Sequence, residues 1–90
     1  MAAASSVISA RDQAVLEALD AVNAELARVV ARQDPLNSPH EGWAVIREEL
    51  DELWEHVRSD TGRTLRARAE AIQVAATALR YAAELCEDPA

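Results

Sequence analysis

Ser38 to Arg58 reads SPHEGWAVIREELDELWEHVR, and this stretch decides the fold class. Ser38 is a strong N-cap, Pro39 suits the first helical position, and Glu41 falls where it can complete a capping box. Trp43, Ile46, Leu50, Leu53 and Val57 then recur at helical spacing. Working outward, the same grammar repeats on both sides. Ser9 followed by Asp12 opens a helix over about 10–33, with Val15, Leu19, Val22, Leu26 and Val29 at steps of four and three. Asp34-Pro35 closes it, because proline disfavours helix in the residue before it. After SDTGRT (59–64), a last helix starts near Arg63 or Thr64 and fades around Cys86. No segment alternates like a strand. The chain reads as all-α, one helical domain over 1–90, with a loose start over 1–8 and a frayed end over 86–90.

Ninety residues make one small domain, and this one is rich in alanine with no phenylalanine. A chain of this size buries only about 60% of its unfolded surface, so a core built on alanine points to completion by self-association. The net charge of −7 argues against nucleic acid as the main partner, since phosphate contacts need a clustered positive surface. Cys86 is the only cysteine, which excludes an internal disulfide and a Cys-based zinc site, and it is expected to act as a small apolar residue. MAAASSVISA (1–10) has neither the basic nor the apolar region of a secretory signal. No apolar run reaches the roughly 20 residues that span a bilayer, so no membrane partner is expected and the expected location is cytoplasmic.

The acids of the second helix fall into two sets. On a wheel of roughly 100° per residue with Glu48 at zero, the apolar stripe centres near roughly 170°, with Trp43 and Trp54 on its shoulder and packing as their expected role. Glu48, Asp51 and Glu55 lie opposite and read as a solvated face. Glu49 and Glu52 share a flanking seam with Val45 and His56, and carboxylates three apart on such a seam can converge on one cation. In the last helix, Glu70 immediately precedes the uncharged run AIQVAATAL (71–79), on a face with Gln73, Val74, Thr77 and Tyr81. A carboxylate there needs a pair, hydrogen bonds or a metal. The competing assignment is an ion pair to Arg66, or simple exposure.

EELDE (48–52) followed by EAIQ (70–73) resembles the two-motif signature of the MazG-like all-α nucleoside triphosphate pyrophosphohydrolases, in which an ExxE pair faces an ExxD pair on the next long helix. SPHEGWAVIREELDELWEHV (38–57) and RAEAIQVAATALRYA (68–82) carry the resemblance further, over roughly residues 38–83. It implies a helical bundle assembled as a dimer or dimer of dimers, and conversion of a (d)NTP to (d)NMP and pyrophosphate for housecleaning or nucleotide-pool control. It also implies Mg²⁺, with Mn²⁺ as a possible substitute, held by Glu49, Glu52, Glu70 and Gln73. Glu49 or Glu52 would act as base for the attacking water. Gln73 departs from the pattern: its amide offers an oxygen but no charge and cannot be a general base. That weakens a second metal position, moves its load to Asp51, Glu48 or His56, or leaves a nucleotide-binding sensor without efficient turnover.

Candidate substrate contacts are Arg63 and Arg66 for phosphate oxygens, His56 for a phosphate or metal-bound water, and Tyr81 for a base. The alternatives are ion pairing for the arginines and a surface role for His56. Arg68 and Arg80 join Arg63 and Arg66 in giving the last helix a positive end. His40-Glu41 begins like a zincin motif but fails at Ala44, leaving His40 as a surface residue. The reading from another class is a helical interaction module whose heptads are partner seams and whose acids only solubilise.

Overall fold

A computed structural model describes residues 8–87, which form three helices: α1 (Ala10–Arg32), α2 (Pro39–Ser59) and α3 (Leu65–Leu85). No strand occurs among the described residues. The expected loose start and frayed end fall outside them, apart from Ile8, Cys86 and Glu87. No helix of the described residues is long and apolar enough to cross a membrane.

Each helix begins on a hydroxyl that satisfies an otherwise unpaired backbone donor. Ser9 Oγ accepts from the Asp12 N–H at 3.0 Å, Ser38 Oγ from Glu41 at 3.1 Å, and Thr64 Oγ1 from Ala67 at 3.1 Å. The capping box of α2 closes one residue early. Glu41 accepts from the backbone N–H and the side-chain amide of Asn37, at 3.3 and 3.1 Å, and not from the Ser38 N–H. Between α2 and α3 the chain reverses at Gly62, whose φ of +68° lies in the left-handed region that glycine enters without strain. Its N–H donates to Asp60 Oδ1 at 2.8 Å.

Helix α3 is the centre of the molecule. Both α1 and α2 pack on it, and their backbones do not pack on each other. Small residues allow the close approach: Ala67 and Ala76 are buried on α3, and Gly42 of α2 lies against Tyr81 and Leu85. A Cβ at position 42 would meet Tyr81 Cδ2 at 2.6 Å and Leu85 Cδ1 at 2.8 Å. Gly42→Ala therefore sets an overpacking cost of about 1–3 kcal/mol against a helix-propensity gain of about 1 kcal/mol. The expected net result is a lower denaturant midpoint, checked by urea unfolding followed by circular dichroism.

The connection from α1 to α2 is tied down by Arg80, which is 4% exposed. Its guanidinium donates to Glu84 through Nε at 3.1 Å and Nη2 at 3.2 Å, to Gln33 Oε1 at 3.2 Å and to the Asp34 carbonyl at 3.1 Å. Glu84 in turn accepts from the Leu36 N–H at 2.8 Å, seating the buried Leu36. Arg80 thus fastens a loop, whereas its composition-based reading grouped it with a positive helix end.

The apolar stripes are only partly covered. On α1, Val22, Leu26 and Val29 are half-buried while Val15 and Leu19 are exposed. On α2 the face that packs on α3 holds Gly42, Val45, Ile46, Glu49, Leu53 and His56, all buried or half-buried. It centres near roughly 100° on the helical wheel, not at the apolar centre near roughly 170°. Of the expected core stripe, Ile46 and Leu53 stay on the packed face and the rest turns outward with Trp54: Leu50 is 45% exposed, Trp43 57%, Trp54 56% and Val57 48%. Packing within the chain is therefore not the role of the two tryptophans. Cys86, expected as an apolar residue, is exposed. The radius of gyration is 16.1 Å, against about 12 Å for a compact chain of this length. With no large side chain fully buried among the described residues, the core is thin.

Candidate metal centre

The same rotation of α2 that exposes its tryptophans turns the flanking seam of Val45, Glu49, Glu52 and His56 towards α3. Glu49 and Glu52, one helical turn apart on α2, thereby meet Glu70 in the first half of α3. One carboxylate oxygen from each lies within 4.8 Å of the others. Ligands around Mg²⁺ at about 2.1 Å in an octahedron stand about 3–4 Å apart, so a small contraction fits these oxygens to one ion.

Charge makes the cluster unfavourable by itself. The Oε2 atoms of Glu49 and Glu70 are buried and have no hydrogen-bond partner, and a buried carboxylate oxygen left unpaired carries its full desolvation penalty. Burial first, and then the charges of Glu52, Glu70 and Glu48, push Glu49 up to about 7. Burial also raises Glu70, and the neighbouring carboxylate of Glu52 adds to it, with His56 opposing. Both shifts express one cause: like charges gathered in a place poor in water.

No arginine pairs with them among the described residues. Arg66, one turn before Glu70, is exposed, and its side chain forms no ion pair among the described residues. Arg63 is likewise exposed, and only its backbone N–H is bonded, to Thr61 Oγ1 at 3.1 Å. The expected solvated acids take the nearby arginines instead. Asp51 pairs with Arg47 at 3.1 Å and Glu55 with Arg58 at 2.6 Å. Glu48, Asp51 and Glu55 are all exposed. The Glu70–Arg66 ion pair is thus not formed, and neither arginine is drawn into the cluster.

Of the other candidate residues, His56 borders the acids. It is half-buried, with Nδ1 3.5 Å from Asp60 Oδ2. Tyr81 does not: it packs on Gly42, eleven residues beyond Glu70 and therefore about 16 Å further along the axis. Gln73 lines a narrow crevice of about 120 Å³ that it shares with Glu49, Val45, Thr77 and Arg80. Its backbone carbonyl accepts from Thr77 Oγ1 at 2.8 Å. The remaining wall of that crevice is α1, through Glu25 and Arg28. Neither residue stands out in the sequence, because their i, i+3 pairing is what any exposed helix shows. On the other side, Glu52 borders an open surface framed by Trp43 and Trp54.

Chemically, three carboxylates with two unpartnered buried oxygens form a hard-oxygen donor set suited to a divalent cation such as Mg²⁺ or Mn²⁺. Comparison with protein-family models, curated proteins and solved structures finds no match to this chain.

Proposed function

We propose that this protein is a Mg²⁺-dependent nucleoside triphosphate pyrophosphohydrolase of the MazG-like all-α type, releasing pyrophosphate from a (d)NTP. The observation that carries the reading is the pair of buried, unpartnered carboxylate oxygens of Glu49 and Glu70 within a three-acid cluster. Bound Mg²⁺, or Mn²⁺ in its place, supplies neutralisation of the triphosphate charge. Glu49, Glu52 and Glu70 would hold the ion, and Gln73 would contribute at most a neutral oxygen near Glu49. The attacking water would lose its proton to Glu49 or Glu52, at the carboxylate oxygen that is not turned to the ion. Its oxygen bonds to the α-phosphorus, the α–β bridging bond breaks, and pyrophosphate leaves.

The exposed stripe of α2 (Trp43, Leu50, Trp54, Val57) and that of α1 (Val15, Leu16, Leu19) support self-association, which would thicken the core. The same exposure favours a second reading, a helical interaction module without chemistry. Incubation with each (d)NTP and Mg²⁺, with nucleotide and phosphate products separated, tells them apart. The enzyme yields nucleoside monophosphate and pyrophosphate in equal amounts. Absence of cleavage of every nucleotide, with oligomerisation intact, favours the interaction module.

A further inference from the structure

Glu25 and Arg28 of α1 lie outside the acid cluster yet wall the crevice that Glu49 and Gln73 share, and resting on the reading above, we propose that this crevice is the seat of the departing pyrophosphate, with Arg28 as its binding residue.

Three observations support Arg28 over the other arginines. Arg80, which lines the same crevice from α3, has its donors committed to Glu84, Gln33 and the Asp34 carbonyl. Arg63 and Arg66 are exposed and border no part of the crevice. Arg28 is held only by Glu25, through Nε at 3.1 Å and Nη2 at 2.5 Å, and its side chain is 48% exposed. A half-exposed guanidinium held by a single carboxylate exchanges that carboxylate for phosphate oxygens at little cost, with the same two-pronged geometry.

Gln73 gains a role from this placement. It borders the crevice and also the adjoining groove that holds both Arg28 and Arg68. A carboxylate at position 73 would compete for these arginines and repel a phosphate chain. A neutral amide does neither, and its side-chain N–H groups form no hydrogen bond among the described residues. The residue that departs from the metal-binding pattern thus suits the anion side of the site. Glu25 is then the resting partner of Arg28, displaced when the anion enters.

The test is calorimetric titration of the full chain with inorganic pyrophosphate at saturating Mn²⁺, alongside titration with Mn²⁺ alone. Arg28→Gln is expected to weaken pyrophosphate about 10- to 100-fold and to leave Mn²⁺ alone unchanged. Glu25→Gln, which frees Arg28, is expected to tighten pyrophosphate several-fold. Glu17→Gln, an exposed acid elsewhere on α1, controls for net charge and is expected to do nothing. Unchanged pyrophosphate affinity in Arg28→Gln overturns the proposal while Mn²⁺ binding upholds the metal centre. An equal tightening by Glu17→Gln and Glu25→Gln also overturns it, since net charge then accounts for the gain. If the unmodified protein binds no Mn²⁺, the functional reading itself falls.

Discussion

Glu49→Gln is expected to abolish nucleotide cleavage while making the metal-free protein more stable. Loss of a metal ligand or general base lowers turnover by about 10²–10⁴-fold. The same change removes a half-buried carboxylate flanked by Glu52 and Glu70 and left with one buried, unpartnered oxygen. An amide of equal size keeps the packing and discards the charge, so the gain at pH 8 without metal is about 1–3 kcal/mol. A residue kept for structure behaves oppositely, losing stability when its chemistry is removed. Urea unfolding without Mg²⁺, set beside the rate of pyrophosphate release, reads both effects. Equal or lower stability in Glu49→Gln would show that the carboxylate is satisfied in the folded chain.

The second large effect is a stability profile that metal reverses. Glu49 has its folded value at about 7 against an ordinary 4.5. Between those values the folded state holds a proton that the unfolded state has released. The stabilisation is therefore fully present below about 4.5 and is lost as pH rises through about 7. Glu70 is raised for the same leading cause and adds in the same direction. The metal-free protein should accordingly melt at a lower temperature at pH 8 than at pH 5.5, by an amount that Glu49→Gln reduces. Millimolar Mg²⁺ should restore stability at pH 8, where the acids are free to bind it, and do little at pH 5.5, where protons compete. The groups held low, Glu25, Glu55, Asp60 and Glu84, act at lower pH. Their stabilisation is lost only as pH falls through their own depressed values, outside this window. A flat profile insensitive to Mg²⁺ would contradict the account.

Much of the fold is legible in the sequence because its signals are local. Ser9, Ser38 and Thr64 each cap a helix using atoms within three residues of themselves. Pro39 and Gly62 likewise act through their own backbone angles. The i, i+3 spacing of Glu49 and Glu52 places them on one seam whatever they face. What a periodic pattern does not contain is the rotation of α2 against α3. Gly42 and the small residues of α3 set that docking, and they turn the acidic seam inward and Trp43, Leu50, Trp54 and Val57 outward. The partners of Arg80 lie 46 and 47 positions away at Asp34 and Gln33, beyond any window of periodicity. Tyr81 shares a helical face with Glu70, and only the length of α3 separates the two. The role of α1 at the site is hidden for the same reason. Glu25 and Arg28 look like an ordinary surface pair until a third helix places them beside Gln73.

The claim on which the rest depends is that Glu49, Glu52 and Glu70 together hold a divalent cation. Titration with Mn²⁺ at pH 8, followed by electron paramagnetic resonance of the free ion, tests it without any assumption about substrate. The account predicts saturable binding that Glu49→Gln or Glu70→Gln weakens by tenfold or more and that Glu48→Gln, on the exposed face, leaves nearly unchanged. Binding that is absent, or equally reduced by all three substitutions, would show that the acids form no metal centre.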